Sequence, residues 1–322
     1  MSQSRAPPTL VQLALERLLR EESLIIFALE DLPIEMFPEI FKKAFNDRLS
    51  NILRAMVPAW PFPCLPAGSL LYNPHLETLK SLLDGPDVLI KEKVHPRSKL
   101  RVLDLINKNL DFWRLKAGSH EGDLDMCPNS GQKPFTVVTE LKVTRSSFNA
   151  CVIHLLQWAN LRKASIHLCC RKLHVWDTPV FSSTQLSNIV DDCIQELRLH
   201  QRWLQYMAHI YPYLGQMRDL HTLILERIYR PFWDNAAAAE QECISLFLSQ
   251  FSKLPCLRNL CINEVYFLTG CLEEWLRCLN NPLVTLSITY CRFSQSDLDY
   301  LSQCLIICEL EHLNLSGVDL SD

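Results

Sequence analysis

Three observations predict an α/β chain in which short strands alternate with returning helices. Leu283, Leu286, Ile288 and Cys291, and again Leu310, Leu313, Leu315 and Val318, follow L-x-x-L-x-L-x-x-(C/V). The same frame fits Leu257, Leu260, Ile262 and Val265, then Leu220, Leu223, Leu225 and Ile228, and less fully Ile194, Leu197 and Leu199. A weaker copy holds Leu168, Cys170 and Leu173, and an isolated one Leu100, Leu103 and Leu105. The middle leucine falls at 103, 168, 197, 223, 260, 286 and 313, with last intervals of 29, 26, 37, 26 and 27 residues. That period belongs to a leucine-rich-repeat solenoid of the long, ribonuclease-inhibitor-like type, with a convex helix per turn; the 37 marks an insertion. Alternation turns the leucines of each strand to one side, and no single copy buries that side alone, so copies stack.

Elements follow in order. Thr9 and Gln12 stand at capping-box spacing, opening a helix whose Leu10, Ala14 and Leu18 share a face. Pro33 and Pro38 suit first-turn positions, and Phe37, Ile40, Phe41, Ala44, Phe45, Leu49, Ile52, Leu53 and Met56 continue one helical stripe. Four prolines between Pro58 and Pro66 read as a rigid connector on which Trp60 and Phe62 pack down. Leu76, Leu79, Leu82 and Leu83 make a helix that Asp84, Gly85 and Pro86 end. Leu100 to Leu105 is the first repeat strand. Residues 116–133 read as a flexible insertion, Val137 to Val143 as a strand, and Phe148 to Trp158 as a helix. Residues 1–66 therefore form an N-terminal helical cap and 67–322 the solenoid. Asp322 follows a repeat strand with no capping unit, so another chain covers that edge or the array is a shortened one.

Hydrophobic residues make up 48% and charged residues 21%, enough for a large core. A net charge of −4 argues against direct nucleic-acid binding, and no apolar stretch is long enough for a signal peptide or membrane span. A cytoplasmic protein, also able to enter the nucleus, is expected, with its 14 cysteines as reduced thiols.

No phosphate-binding loop, nucleophile elbow or zinc-protease helix occurs, and eight glycines leave little material for phosphate cradles. No enzymatic activity, cofactor or metal is expected. His167, Cys169, Cys170 and His174 come nearest to a metal cluster, but the frame turns Leu168 and Cys170 inward and His167 and Cys169 outward, so they do not converge. Two LxxLL strings, at Leu15, Leu18 and Leu19 and at Leu79, Leu82 and Leu83, match helices that fill a nuclear-receptor groove; in a leucine-rich segment they read first as core.

The first helix resembles a BC-box, Thr-Leu-x-x-x-Ala-x-x-x-Leu, with Ala14 where that motif has cysteine; the other reading is an ordinary helix sealing the core. The stretch Leu32-Pro33-Ile34-Glu35-Met36-Phe37-Pro38 resembles a cullin-2 box and also the opening of an F-box. Thr9, Leu10, Ala14, Leu18, Leu32 and Pro33 would then bind elongin C and cullin 2, or Skp1 if the segment at 32–41 is an F-box. Beyond these, the run from Ala55 through Trp60 and Cys64 to Pro66, Pro74 to Leu79, Lys99 to Leu105, Tyr213 to Met217 and Asn281 to Thr289 resemble the PRAME family of leucine-rich-repeat proteins along the whole chain. The resemblance implies a non-catalytic substrate receptor of a cullin-2 ubiquitin ligase, promoting proteasomal degradation of a bound protein. It also implies the alternative of a nuclear corepressor that binds a retinoic acid receptor, with effects on proliferation, differentiation and apoptosis. In either case the target would bind outward residues of the concave strands: Arg198, His200, Ile224, Glu226, Asn263, Ser287, Thr289 and Asn314.

Overall fold

A computed structural model describes residues 10–70, 75–91, 98–106, 113, 135–144, 150–176, 193–201, 210–229 and 237–320. They form a mixed α/β arrangement of parallel strands and helices. Two compact units are distinguishable, Met1–Val138 with Ile153–Leu168, and Thr139–Val152 with Cys169–Asp322. The expected cap at Thr9 and insertion at 116–133 lie outside the described residues.

In the first unit, α1 (Leu10–Arg20) turns Leu15 and Leu19 inward, and α2 (Glu22–Ala28) buries Ile25. The stripe from Phe37 to Met56 is two helices rather than one. Helix α3 (Phe37–Asn46), with Pro38 in its first turn, stops at a turn where Arg48 takes φ 57°, and α4 (Ser50–Met56) begins beyond it. The stripe continues across the break because α4 also turns its apolar residues, Ile52, Leu53 and Met56, into the core, while α3 packs on Trp60. That indole is fully buried, lies 5.2 Å from Phe41 and 6.2 Å from Phe37, and donates its N–H to the Cys64 carbonyl at 3.0 Å. Phe41 in turn stacks on Trp113 at 5.7 Å.

The proline-rich stretch is more than a connector. Its end forms β1 (Cys64–Pro66), which pairs in parallel with β2 (Val102–Asp104), so the strand at Leu103 is second, not first. Proline is tolerated there because β1 has a neighbour on one side only. Strand β2 then pairs with the first residues of β3 (Phe135–Thr144), Leu103 opposite Val137. Helix α5 (Leu76–Lys91) also departs from expectation, running straight through Gly85 and Pro86. Gly85 sits so close to Val57 that any β-carbon would overlap that side chain. Close packing on the residues after α4, not helix termination, is what the glycine provides.

Helix α6 (Ala150–Asn160) leads into β4 (Ile166–Trp176). In the second unit, β4, β5 (Glu196–His200), β6 (Thr222–Ile228), β7 (Asn259–Val265), β8 (Thr285–Thr289) and β10 (His312–Asn314) pair in parallel in that order. Short strands β9 (Arg292–Phe293) and β11 (Asp319–Leu320) pair separately. Leu197, Leu223, Leu260, Leu286 and Leu313 are opposite one another, as the frame requires. Their partner on β4 is Leu173, not Leu168, so the expected phase of that copy was wrong by an odd number of residues. Three consecutive buried residues, Leu168, Cys169 and Cys170, break the alternation there and hide the phase; Cys169, expected outside, is 2% exposed.

Among the described residues, this unit also holds helices α7 (Tyr211–Leu214), α8 (Ala237–Ser249), α9 (Leu272–Arg277) and α10 (Gln295–Gln303). Helix α8 falls in the 37-residue interval, as expected. Its Phe247 packs edge-on to Phe251 at 5.1 Å, and Phe251 lies 5.3 Å from Trp275 of α9. Each such fully buried apolar side chain contributes about 1.5–3 kcal/mol.

Candidate functional site

Because Leu197, Leu199, Leu223, Leu225, Leu260, Ile262, Leu286 and Ile288 are all 0–1% exposed on one side, the intervening residues form rows on the other. Register places Arg198, Ile224, Cys261, Ser287 and Asn314 in one row, and His200, Glu226, Asn263 and Thr289 in the next. All eight outward residues named from the sequence therefore share one face. Thr289 is nevertheless 9% exposed, held by the Asn263 amide, which donates to its Oγ1 at 3.0 Å.

Polarity changes along the rows. Glu196 accepts from His174 Nε2 at 3.1 Å and lies 3.5 Å from Lys172 Nζ, which is itself 3.8 Å from Glu140. Glu226 is 3.9 Å from both Arg198 Nε and His200 Nδ1. Trp176 stacks on His200 at 4.8 Å and carries Lys142 Nζ over its ring at 4.7 Å. From β7 onward the rows turn neutral, through Asn259, Cys261, Asn263, Thr285 and Ser287. Lys142, Lys172, Trp176 and Glu196 went unnamed in the sequence reading, and His174 was weighed there only as a metal ligand. The β4 residues among them were hidden by its wrong phase; correcting it by an odd step sends Lys172, His174 and Trp176 outward.

Burial pushes the Cys261 thiol up, away from thiolate reactivity, although Arg198 nearby pulls the other way. Burial and the Glu264 carboxylate, which accepts the Tyr229 hydroxyl at 2.9 Å, push that phenol up. Among the described residues no three histidine, cysteine or acidic side chains could hold a metal ion, and no helix is long and apolar enough to cross a membrane.

The residues assigned to scaffold binding separate into two kinds. On α1, Leu10 is 85% exposed, Ala14 exposed and Leu18 half-buried, while Thr9 lies outside the described residues. Pro33 is exposed, but Leu32 is only 7% exposed and belongs to the core. Apart from half-buried Leu18, the leucines of the LxxLL strings are core as well: Leu15, Leu19, Leu79, Leu82 and Leu83 are all 7% exposed or less.

Comparison with known proteins completes the picture. The PRAME N-terminal domain matches residues 7–113 and the PRAME C-terminal domain residues 135–322. Human PRAME family member 8 is 42% identical over 98% of this chain and 69% of its own length. Mouse Oogenesin-3 is 43% identical over 98% of this chain and 66% of its own, and human PRAME family member 12 is 39% identical over 98% and 68%. The chain thus spans about two thirds of the length of these relatives. Two domain matches in sequence order, with identity near 40% across almost the whole chain, mean that this protein belongs to the PRAME family.

Proposed function

We propose that this chain is a non-catalytic adaptor built as a leucine-rich-repeat solenoid, holding a protein target on its outward strand rows and a ubiquitin-ligase scaffold on its N-terminal helices. Elongin C and cullin 2 are the scaffold partners, and the reaction is ubiquitin transfer to the held target by proximity. The observation that carries this reading is on α1, where Leu15 and Leu19 anchor the helix inward while Leu10 and Ala14 stay open. A helix held this way offers one leucine and one small residue to a partner groove without losing its own core contacts.

The test is co-purification of elongin C with the wild-type chain and with Leu10→Asp. At 85% exposure Leu10 carries almost no folding energy, so the variant keeps wild-type thermal stability. Recovery of elongin C is expected to fall about tenfold or more. Equal recovery with both chains, or none with either, rejects the adaptor reading.

A further inference from the structure

A groove of about 520 Å³ lies in the first unit where α2, α4 and α5 meet. Ile26, Leu29, Ala55, Pro58 and Val88 give it an apolar floor. Its size is that of a site for one or two large side chains. The helix beside it is unusually apolar on its open side: Leu24, Ile26 and Phe27 of α2 are 44%, 39% and 83% exposed. None of Leu10, Ala14, Leu18, Leu32 or Pro33 lines the groove, so it stands apart from the surface assigned to elongin C.

Charge identifies the occupant. From Glu21 to Glu39 the chain carries Glu21, Glu22, Glu30, Asp31, Glu35 and Glu39, and no lysine, arginine or histidine. Glu21 is paired with Arg17 at 3.0 Å, and Glu22 accepts from Asn51 at 2.8 Å. Glu30, which lines the groove, and Asp31, Glu35 and Glu39 make no ion pair among the described residues. Arg54, the cation lining the groove, is already held by Asp84 at 2.8 Å. We infer that this groove docks a basic amphipathic helix of a partner protein, whose apolar side chains enter between α2 and α4 while its lysines or arginines meet Glu30 and Asp31. Anionic membrane is disfavoured by the same carboxylates.

The experiment uses the full chain and a fluorescent amphipathic peptide of about 15 residues made from leucine and lysine, with the same peptide carrying glutamate for lysine as its control. Anisotropy should show binding of the lysine peptide that weakens with salt, and none of the glutamate peptide. Ala55→Trp, which fills the groove, and Glu30→Lys, at an exposed position, should each weaken binding by about tenfold or more, with circular dichroism and thermal unfolding unchanged for Glu30→Lys. If Ala55→Trp misfolds, Phe27→Asp on the open side of α2 takes its place. Failure of the lysine peptide to bind, equal binding of the glutamate peptide, or binding by Glu30→Lys and by whichever groove variant folds at wild-type strength overturns the inference. Elongin C recovery with Glu30→Lys stays at the wild-type level, which separates this site from the one on α1.

Discussion

Asp297 is 2% exposed and yet surrounded by donors. Its carboxylate accepts from the backbone N–H of Gly270 at 2.7 Å, Leu272 at 3.1 Å and Ser294 at 2.8 Å, and from the Ser294 hydroxyl at 2.7 Å. One buried charge thereby closes the capping box of α10 and fixes the first turn of α9. Asp297→Ala leaves those donors without a partner in the interior, and urea denaturation should show a loss of about 2–4 kcal/mol. Ser294 and Asp297 stand at capping-box spacing in the sequence, but nothing local points to the second half of that carboxylate's work, across 25 residues to Leu272. A second residue-level feature was equally hidden. Arg227, Glu264 and Tyr290 take φ of 54°, 52° and 52° at register-matched positions, and Gly317 follows them at 67°. Only the last announces itself in a sequence, because a left-handed residue is otherwise recognisable by glycine.

Among the elements, α5 shows why local rules misplace boundaries. Gly85 and Pro86 are helix breakers in isolation, but burial of Leu79, Leu82 and Leu83 on one side of the pair holds the helix through it. Gly85→Ala is expected to destabilise the chain by about 1–3 kcal/mol despite the better helix propensity of alanine, as read by thermal melting. Combining it with Val57→Ala, which removes the overlapping atoms, should recover part of that loss. Recovery of none would mean that the glycine matters for its backbone and not for space. Strand β4 teaches the same lesson about phase. Its residues 168–170 are all buried, so parity could not be read until Leu173 was seen opposite Leu197.

Across the second unit, the register explains where the core runs and where it thins. Leu286 and Leu313 hold the same position on neighbouring strands, yet one is 0% and the other 51% exposed. Leu286→Ala should therefore cost about 2–5 kcal/mol in chemical denaturation, and Leu313→Ala less than about 1 kcal/mol. Similar losses at both positions would show that β10 is covered in solution. The strand leucines from Leu220 onward could be found from the amino-acid order because their rule is local: every second side chain faces the same way, whichever strand lies next to it. The same parity puts the eight residues from Arg198 to Asn314 on the face opposite the strand leucines. Pairing was needed for the rest. Proximity between Trp176 and His200, the first strand at Cys64 and the acid-lipped groove under α2 all depend on contacts between residues far apart in the chain, and no local pattern encodes which distant neighbour a side chain will meet.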